Sequence, residues 1–253
     1  MNTTESTLKS FHGNQAVKDK YIARVRHHRE LDNLVQGQGW EDGRGCAVGC
    51  CLEAYDHSRY PVELGLPEWL AHLEDHIFEA LASDQAQLWP EAFLEACPVG
   101  IGERAFEILR DRFQIFWLQR QKTQIDLANY PEVGGVIDGT ISLFQQAING
   151  VEPEADAWSA AWSAAWSAAR SAARSAAWSA ARSAARSAAE SAARSAAESA
   201  AESAAESAAE SAARSAARSA ARSAARSAAE SAGFSEALVK RDWLLTELKS
   251  LQP

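Results

Sequence analysis

Apolar residues recur at helical spacing through most of the first 150 positions. In QAVKDKYIARVRHHRELDNLV, Val17, Tyr21, Val25, His28 and Val35 fall near one face, with Asn14 placed as a cap. In LPEWLAHLEDHIFEALAS, Pro67 stands at the start, and Trp69, Leu70, Leu73, Ile77 and Leu81 form a stripe directed to a core. Shorter helical stretches are predicted over residues 89–95, 103–122 and 136–148, the last entered through GGVIDGT. Strand signals are weak throughout. The expected architecture is mainly α: a small helical N-terminal domain over residues 1–150 with a Gly-rich loop inserted at 37–49, then a long single Ala-rich helix over 157–232. A short amphipathic helix follows over 234–253, where Leu238, Trp243, Leu244 and Leu248 are placed to pack on a partner.

The long helix is predicted from a phrase, X-Ser-Ala-Ala, that runs nineteen times from Trp158 to Glu230. Half of it is Ala and it holds neither Gly nor Pro, so one continuous helix of ~110 Å is expected. Because X recurs every four residues against 3.6 per turn, its stripe advances ~40° per repeat and holds no straight seam. The X positions carry Trp158, Trp162, Trp166 and Trp178 near the domain, then Glu198 to Glu210, then Arg214 to Arg226. Two antiparallel copies centred on Ala212 would set Arg194 against Glu230, Glu198 against Arg226, Glu202 against Arg222, Glu206 against Arg218 and Glu210 against Arg214. A homo-oligomer through residues 194–230 is therefore expected, although tandem expansion with drift at X accounts for the same order without a partner. The tryptophans either dock the base of this helix on the domain or form an adhesive face.

Charge narrows the classes of partner. The formal charge is −9, and the nine Arg and six Glu of the repeat contribute +3, which leaves −12 on the rest. An acidic body argues against a nucleic-acid scaffold. No apolar run approaches the ~18 residues of a spanning helix, and the polar N-terminus lacks a signal-peptide core, so a cytoplasmic chain without a membrane partner is expected. Four cysteines in such a chain read as reduced thiols.

The stretch QGQGWEDGRGCAVGCCLEAYDH carries the candidate chemistry. Gly37, Gly39, Gly43, Gly45 and Gly49 permit close backbone approach, and successive N–H groups in such a loop can surround an anion. Upstream lie Lys18, Lys20, Arg24, Arg26, His27, His28 and Arg29; Arg44 sits inside the loop, and Trp40 and Tyr55 offer ring faces. A small anionic, nucleotide-like ligand would meet Arg24, His27, Gly39, Trp40, Arg44, Gly45, Cys46 and Gly49. The segment is neither a P-loop nor a dinucleotide fingerprint, and a tight turn beside a solvated basic face accounts for the same residues.

Cysteine and histidine chemistry is the alternative. Cys46, with Gly45 and Ala47 beside it, would be a thiol nucleophile if His57 or His28 activated it and Asp56, Glu74 or Asp75 oriented the base. Cys46 and Cys50, four apart, together with His72 and His76, also four apart, would make a two-plus-two metal site, although HLEDH is not HExxH. No spacing fixes a catalytic pair, so ligand capture without turnover is the leading expectation and no cofactor is expected. A structural oligomer without a ligand is the third class.

The blocks HRELDNLVQGQGWEDGRGCAVGC, LPEWLAHLEDHIFEAL and WPEAFLEACPVG, spanning residues 20–105, resemble an uncharacterised group of phage and bacterial proteins that often end in X-Ser-Ala-Ala tails. Small phage proteins include binders that sequester host immune nucleotide signals, so the resemblance implies an anti-defence role of that kind. Cys51 and Cys97 depart from the group, whereas Trp40, Arg44, Cys46 and Cys50 remain in place.

Overall fold

The computed structural model describes residues 8–125, 127–128, 130–168 and 234–252. The chain is mainly helical and divides into two compact units, Met1–Phe113 with Ala228–Pro253, and Gln114–Ser227.

The first unit is built on α1 (Gln15–Glu30), whose start is fixed by the Asn14 side chain accepting from the N–H of Ala16 at 2.9 Å. Tyr21, Val25 and His28 face inward, as their spacing predicts. A two-stranded antiparallel hairpin follows, β1 (Trp40–Glu41) and β2 (Arg44–Gly45). Its two-residue turn is Asp42-Gly43, both left-handed at φ 52° and 77°, the geometry that tight hairpins favour and that Asp-Gly adopts readily. The hairpin delivers the chain into α2 (Ala47–Leu52), every residue of which is buried. Glu53, in the left-handed conformation, ends it.

Around α2 pack α3 (Tyr60–Leu64), α4 (Glu68–Ala80), α5 (Ser83–Ala96) and the start of α6 (Glu103–Gln124). On α4 the predicted stripe is observed: Leu70 and Ile77 are buried and Leu81 follows them into the core, with Trp69 and Leu73 half-buried beside them. The stripe is wider than predicted, taking in Ala71, Phe78 and two carboxylates, Glu74 and Asp75. The helix over residues 234–250, here α9, closes the same core with Ala237, Leu244 and Leu248. Leu238, Trp243, Leu244 and Leu248, expected from the sequence to pack on a partner, lie in or against the core of their own first unit.

The second unit contains α7 (Pro131–Ile148) and a helix over residues 155–168, here α8. Trp158 packs on Phe144 of α7, with ring centres 4.9 Å apart, whereas Trp162 and Trp166 are 73% and 61% exposed. Of the predicted long helix, residues 157–168 are helical. The remainder, with Trp178 and the 194–230 pairing, lies outside the described residues. Among the described residues no helix is long and apolar enough to cross a membrane.

Candidate functional site

The loop that precedes α2 is strapped to the C-terminal end of α4. Gln36 Nε2 donates to the carbonyls of Phe78 and Leu81, each at 2.8 Å, and the N–H of Gly37 donates to Glu79 Oε2 at 2.7 Å. Within the loop, Gly45 N–H bonds the Asn33 carbonyl and Cys46 N–H bonds the Gly39 carbonyl. Three glycines meet here at van der Waals limits. A methyl group on Gly45 or Gly49 would overlap the Gly39 carbonyl oxygen, and one on Gly39 would overlap the Tyr55 ring. The glycines serve backbone packing, and it is this packing that puts Cys46 against α4.

Cys46 caps α2, its Sγ accepting from the N–H of Gly49 at 3.4 Å. The thiol, buried and facing the Asp75 carboxylate, titrates well above the ordinary cysteine range; burial is the larger cause and Asp75 the next. Asp75 is 8% exposed. Its Oδ2 accepts from Tyr55 Oη at 3.3 Å and lies 3.2 Å from His57 Nε2, while its Oδ1 is buried and, apart from the Cys46 thiol that faces this carboxylate, reaches no hydrogen-bond donor among the described residues. One turn further on, Glu79 completes the cluster: one ligating atom each from Cys46, Asp75 and Glu79 lie within 4.8 Å of one another.

Acid groups outnumber their counterions in this cluster. Glu79 is pushed up by burial and by the Asp75 charge, and Tyr55 is pushed up first by Asp75 and then by burial. Among the described residues His57 is the one basic side chain bonded to Asp75. It is held in turn by a parallel stack on His72, with centres 4.1 Å apart and planes at 10°, and by the edge of Tyr55 at 5.0 Å. Tyr55 and Glu79 are exposed, so the cluster reaches the surface on that side.

The neighbouring carboxyl, Glu74, belongs to the core. Tyr60 Oη donates to it, Trp89 Nε1 donates to its backbone carbonyl at 2.9 Å, and full burial pushes its pKa up to about 8. Burial likewise raises the Cys50 thiol to about 12; it donates to the Asn33 and Gly45 carbonyls at 3.4 and 3.3 Å. All four cysteines are free and buried.

The proposed metal set Cys46, Cys50, His72 and His76 does not converge. Cys50 is committed to the loop carbonyls, His72 stacks outside on His57, and His76 Nε2 accepts from Lys240 Nζ at 2.9 Å. The suggested thiol–imidazole pair, Cys46 and His57, does share a site, with Asp75 bonded to the imidazole and facing the thiol. Glu79 was missed, although its i,i+4 spacing from Asp75 was readable.

The residues assigned to an anionic ligand have partners inside the protein. Arg24 donates to the Cys51 carbonyl at 2.9 Å, lies 3.6 Å from Glu53 and covers the Tyr21 ring. Arg44 donates to the Asp32 carbonyl at 3.1 Å, and Trp40 meets His28 edge-on at 5.4 Å. His27 is exposed. The N–H groups of Gly45, Cys46 and Gly49 are spent as described. Elsewhere on the basic face, Arg26 and Arg29 both reach Glu91, Lys18 donates to the carbonyls of Glu95 and Cys97, Lys20 lies over the Tyr21 ring, and the buried His28 Nε2 lies 3.7 Å from Glu53.

Comparison of the chain with protein-family models, with curated proteins and with solved structures returns no match.

Proposed function

We propose that the first unit is a divalent-metal-binding domain in which Cys46, Asp75 and Glu79 are the protein ligands. The observation that carries this reading is the convergence of Cys46, Asp75 and Glu79, with the Oδ1 of Asp75 buried and reached by no N–H or O–H donor among the described residues. A buried carboxylate oxygen that no N–H or O–H reaches is costly, and a dication placed among these atoms removes that cost while reversing the field that keeps the thiol protonated. Asp75 carries the outer support typical of a metal ligand, because Tyr55 and His57 hold its second oxygen. A thiolate with two carboxylates and a nearby imidazole suits zinc better than magnesium or calcium, which take oxygen alone. Three protein ligands leave a coordination position for water or a substrate oxygen, the arrangement of catalytic rather than structural zinc sites.

The same burial and the same Asp75 charge count against Cys46 as a free thiolate nucleophile. Capture of a nucleotide-like anion has weaker support, since the donors it relies on are engaged elsewhere. Native mass spectrometry of the full-length protein after zinc loading and desalting tests the reading. One zinc per chain, absent from Asp75→Asn, is expected; a metal-free wild-type chain would sink it.

A further inference from the structure

We propose that α9 is a separately docking helix that holds α4 in its metal-binding position, so that docking of residues 234–250 and metal binding at Cys46, Asp75 and Glu79 strengthen each other. This inference rests on the metal reading above. Its basis is what α9 touches. Ala237, Leu244 and Leu248 enter the core that also contains Ile77 and Phe78, two of the three α4 residues lying between Asp75 and Glu79. His76, next to Asp75 in the chain, accepts from Lys240 at 2.9 Å. Further contacts spread α9 over the neighbouring helices: Arg241 on Gln85 of α5, Glu247 on Arg112 at 3.2 Å, and Trp243 on Phe113 of α6 at 5.4 Å.

α9 is also detachable in a way that α1 to α5 are not. The core of the first unit is made by residues between Phe11 and Leu109 and by Ala237, Leu244 and Leu248, with nothing from the described residues between. Leu109 and Ala237 are 128 positions apart in the chain, so the seat of α9 on this core is a long-range contact and not the continuation of a neighbouring element. Its docking is therefore an equilibrium of its own, a cooperative unit that opens without unfolding the rest. When it opens, the core that holds Ile77 and Phe78 loses Ala237, Leu244 and Leu248, and His76 loses Lys240, within the turn that carries both ligand carboxylates. A metal ion that fixes that turn must favour the docked state by the same factor by which docking favours the metal.

The test uses the full-length chain and zinc alone. In Leu244→Asp/Leu248→Asp, hydrogen exchange over residues 237–248 is expected to rise while α1 and α5 stay protected, and zinc affinity, read by chelator competition, to fall about tenfold. A peptide of residues 234–252 added to this variant restores the affinity. In the wild type, zinc slows exchange over 237–248. Released α9 with zinc affinity unchanged within twofold overturns the coupling, as does wild-type exchange that ignores zinc. If the double variant loses protection in α1 and α5, Lys240→Ala and the wild-type exchange experiment decide instead. A wild type that binds no zinc at all fails the metal reading itself, and the coupling with it, whereas zinc binding without an effect on α9 fails the coupling alone.

Discussion

Two polar regions of the first unit are built from opposite balances. On α1 and the loop after it, Arg24, Arg26, Arg29, Arg44 and Lys18 all find carboxylates or backbone carbonyls within the protein, and the amides of Gly45 and Cys46 bond the loop carbonyls of Asn33 and Gly39. Between α2 and α4, Cys46, Asp75 and Glu79 face one another with His57, Tyr55 and the Gly37 amide as their donors, and one buried oxygen is left over. The first region looks richer in chemistry when written as a sequence. On the metal reading proposed above, the second is the one that takes a ligand, because three acid groups converge there with one imidazole beside them.

The sharpest way to break this comparison is to change the unbalanced side. Asp75→Ala removes the central ligand, and zinc affinity by chelator competition should fall by more than the ~100-fold seen when outer partners of a metal ligand are lost. His57→Ala, which removes such a partner only, should cost less, in the range of ~10–100-fold. A retained affinity in Asp75→Ala would put the metal elsewhere.

The packing that joins the two regions can be attacked at Gly49. A methyl group there overlaps the Gly39 carbonyl, so Gly49→Ala should destabilise the chain by about 3 kcal/mol in denaturant unfolding and disturb zinc binding as well. An unchanged midpoint would show that the loop relaxes freely.

Glu74 separates core carboxyl from site carboxyl. Its folded pKa of about 8 lies above its ordinary 4.5, so the native state holds this proton more tightly than the unfolded chain. The stability from the neutral form is complete below the unfolded value and is lost progressively as pH rises toward about 8. Glu74→Gln keeps the shape without the charge, and should therefore raise the melting temperature relative to wild type at pH 8 and bring little gain at pH 4. Equal effects at both pH values would contradict the assignment. The smallest effect is expected from Arg44→Ala, which loses one exposed bond to the Asp32 carbonyl: stability should move by no more than ~0.5 kcal/mol and zinc affinity not at all.

Much of the fold was readable because it rests on local rules. Asn14 capping α1, Pro67 opening α4 and the Leu70–Ile77–Leu81 stripe each follow from spacing and end chemistry. The Asp42-Gly43 hairpin carried the strongest short-range turn signal in the chain, yet its strands are two residues long and leave no alternation to detect. The partner of α9 was hidden for another reason: an apolar face says that something covers it, and periodicity does not say what.

At the site, Cys46, His57 and Asp75 were all visible as candidates. The metal set was misread because His72 and His76 share the right spacing on the wrong face. Leu70, Ala71, Asp75 and Phe78 define the buried side of α4, which leaves 72 and 76 exposed and carries Asp75 inward. Reading the carboxylates against that stripe, rather than the histidines against a motif, locates the cluster.

The most direct test of the account is the absorption spectrum of the full-length protein loaded with cobalt(II). A single equivalent per chain with an intense near-ultraviolet thiolate-to-cobalt band, abolished in Cys46→Ser, is the result expected if Cys46, Asp75 and Glu79 hold a metal. A band that persists in Cys46→Ser, or no bound cobalt in the wild type, would contradict it.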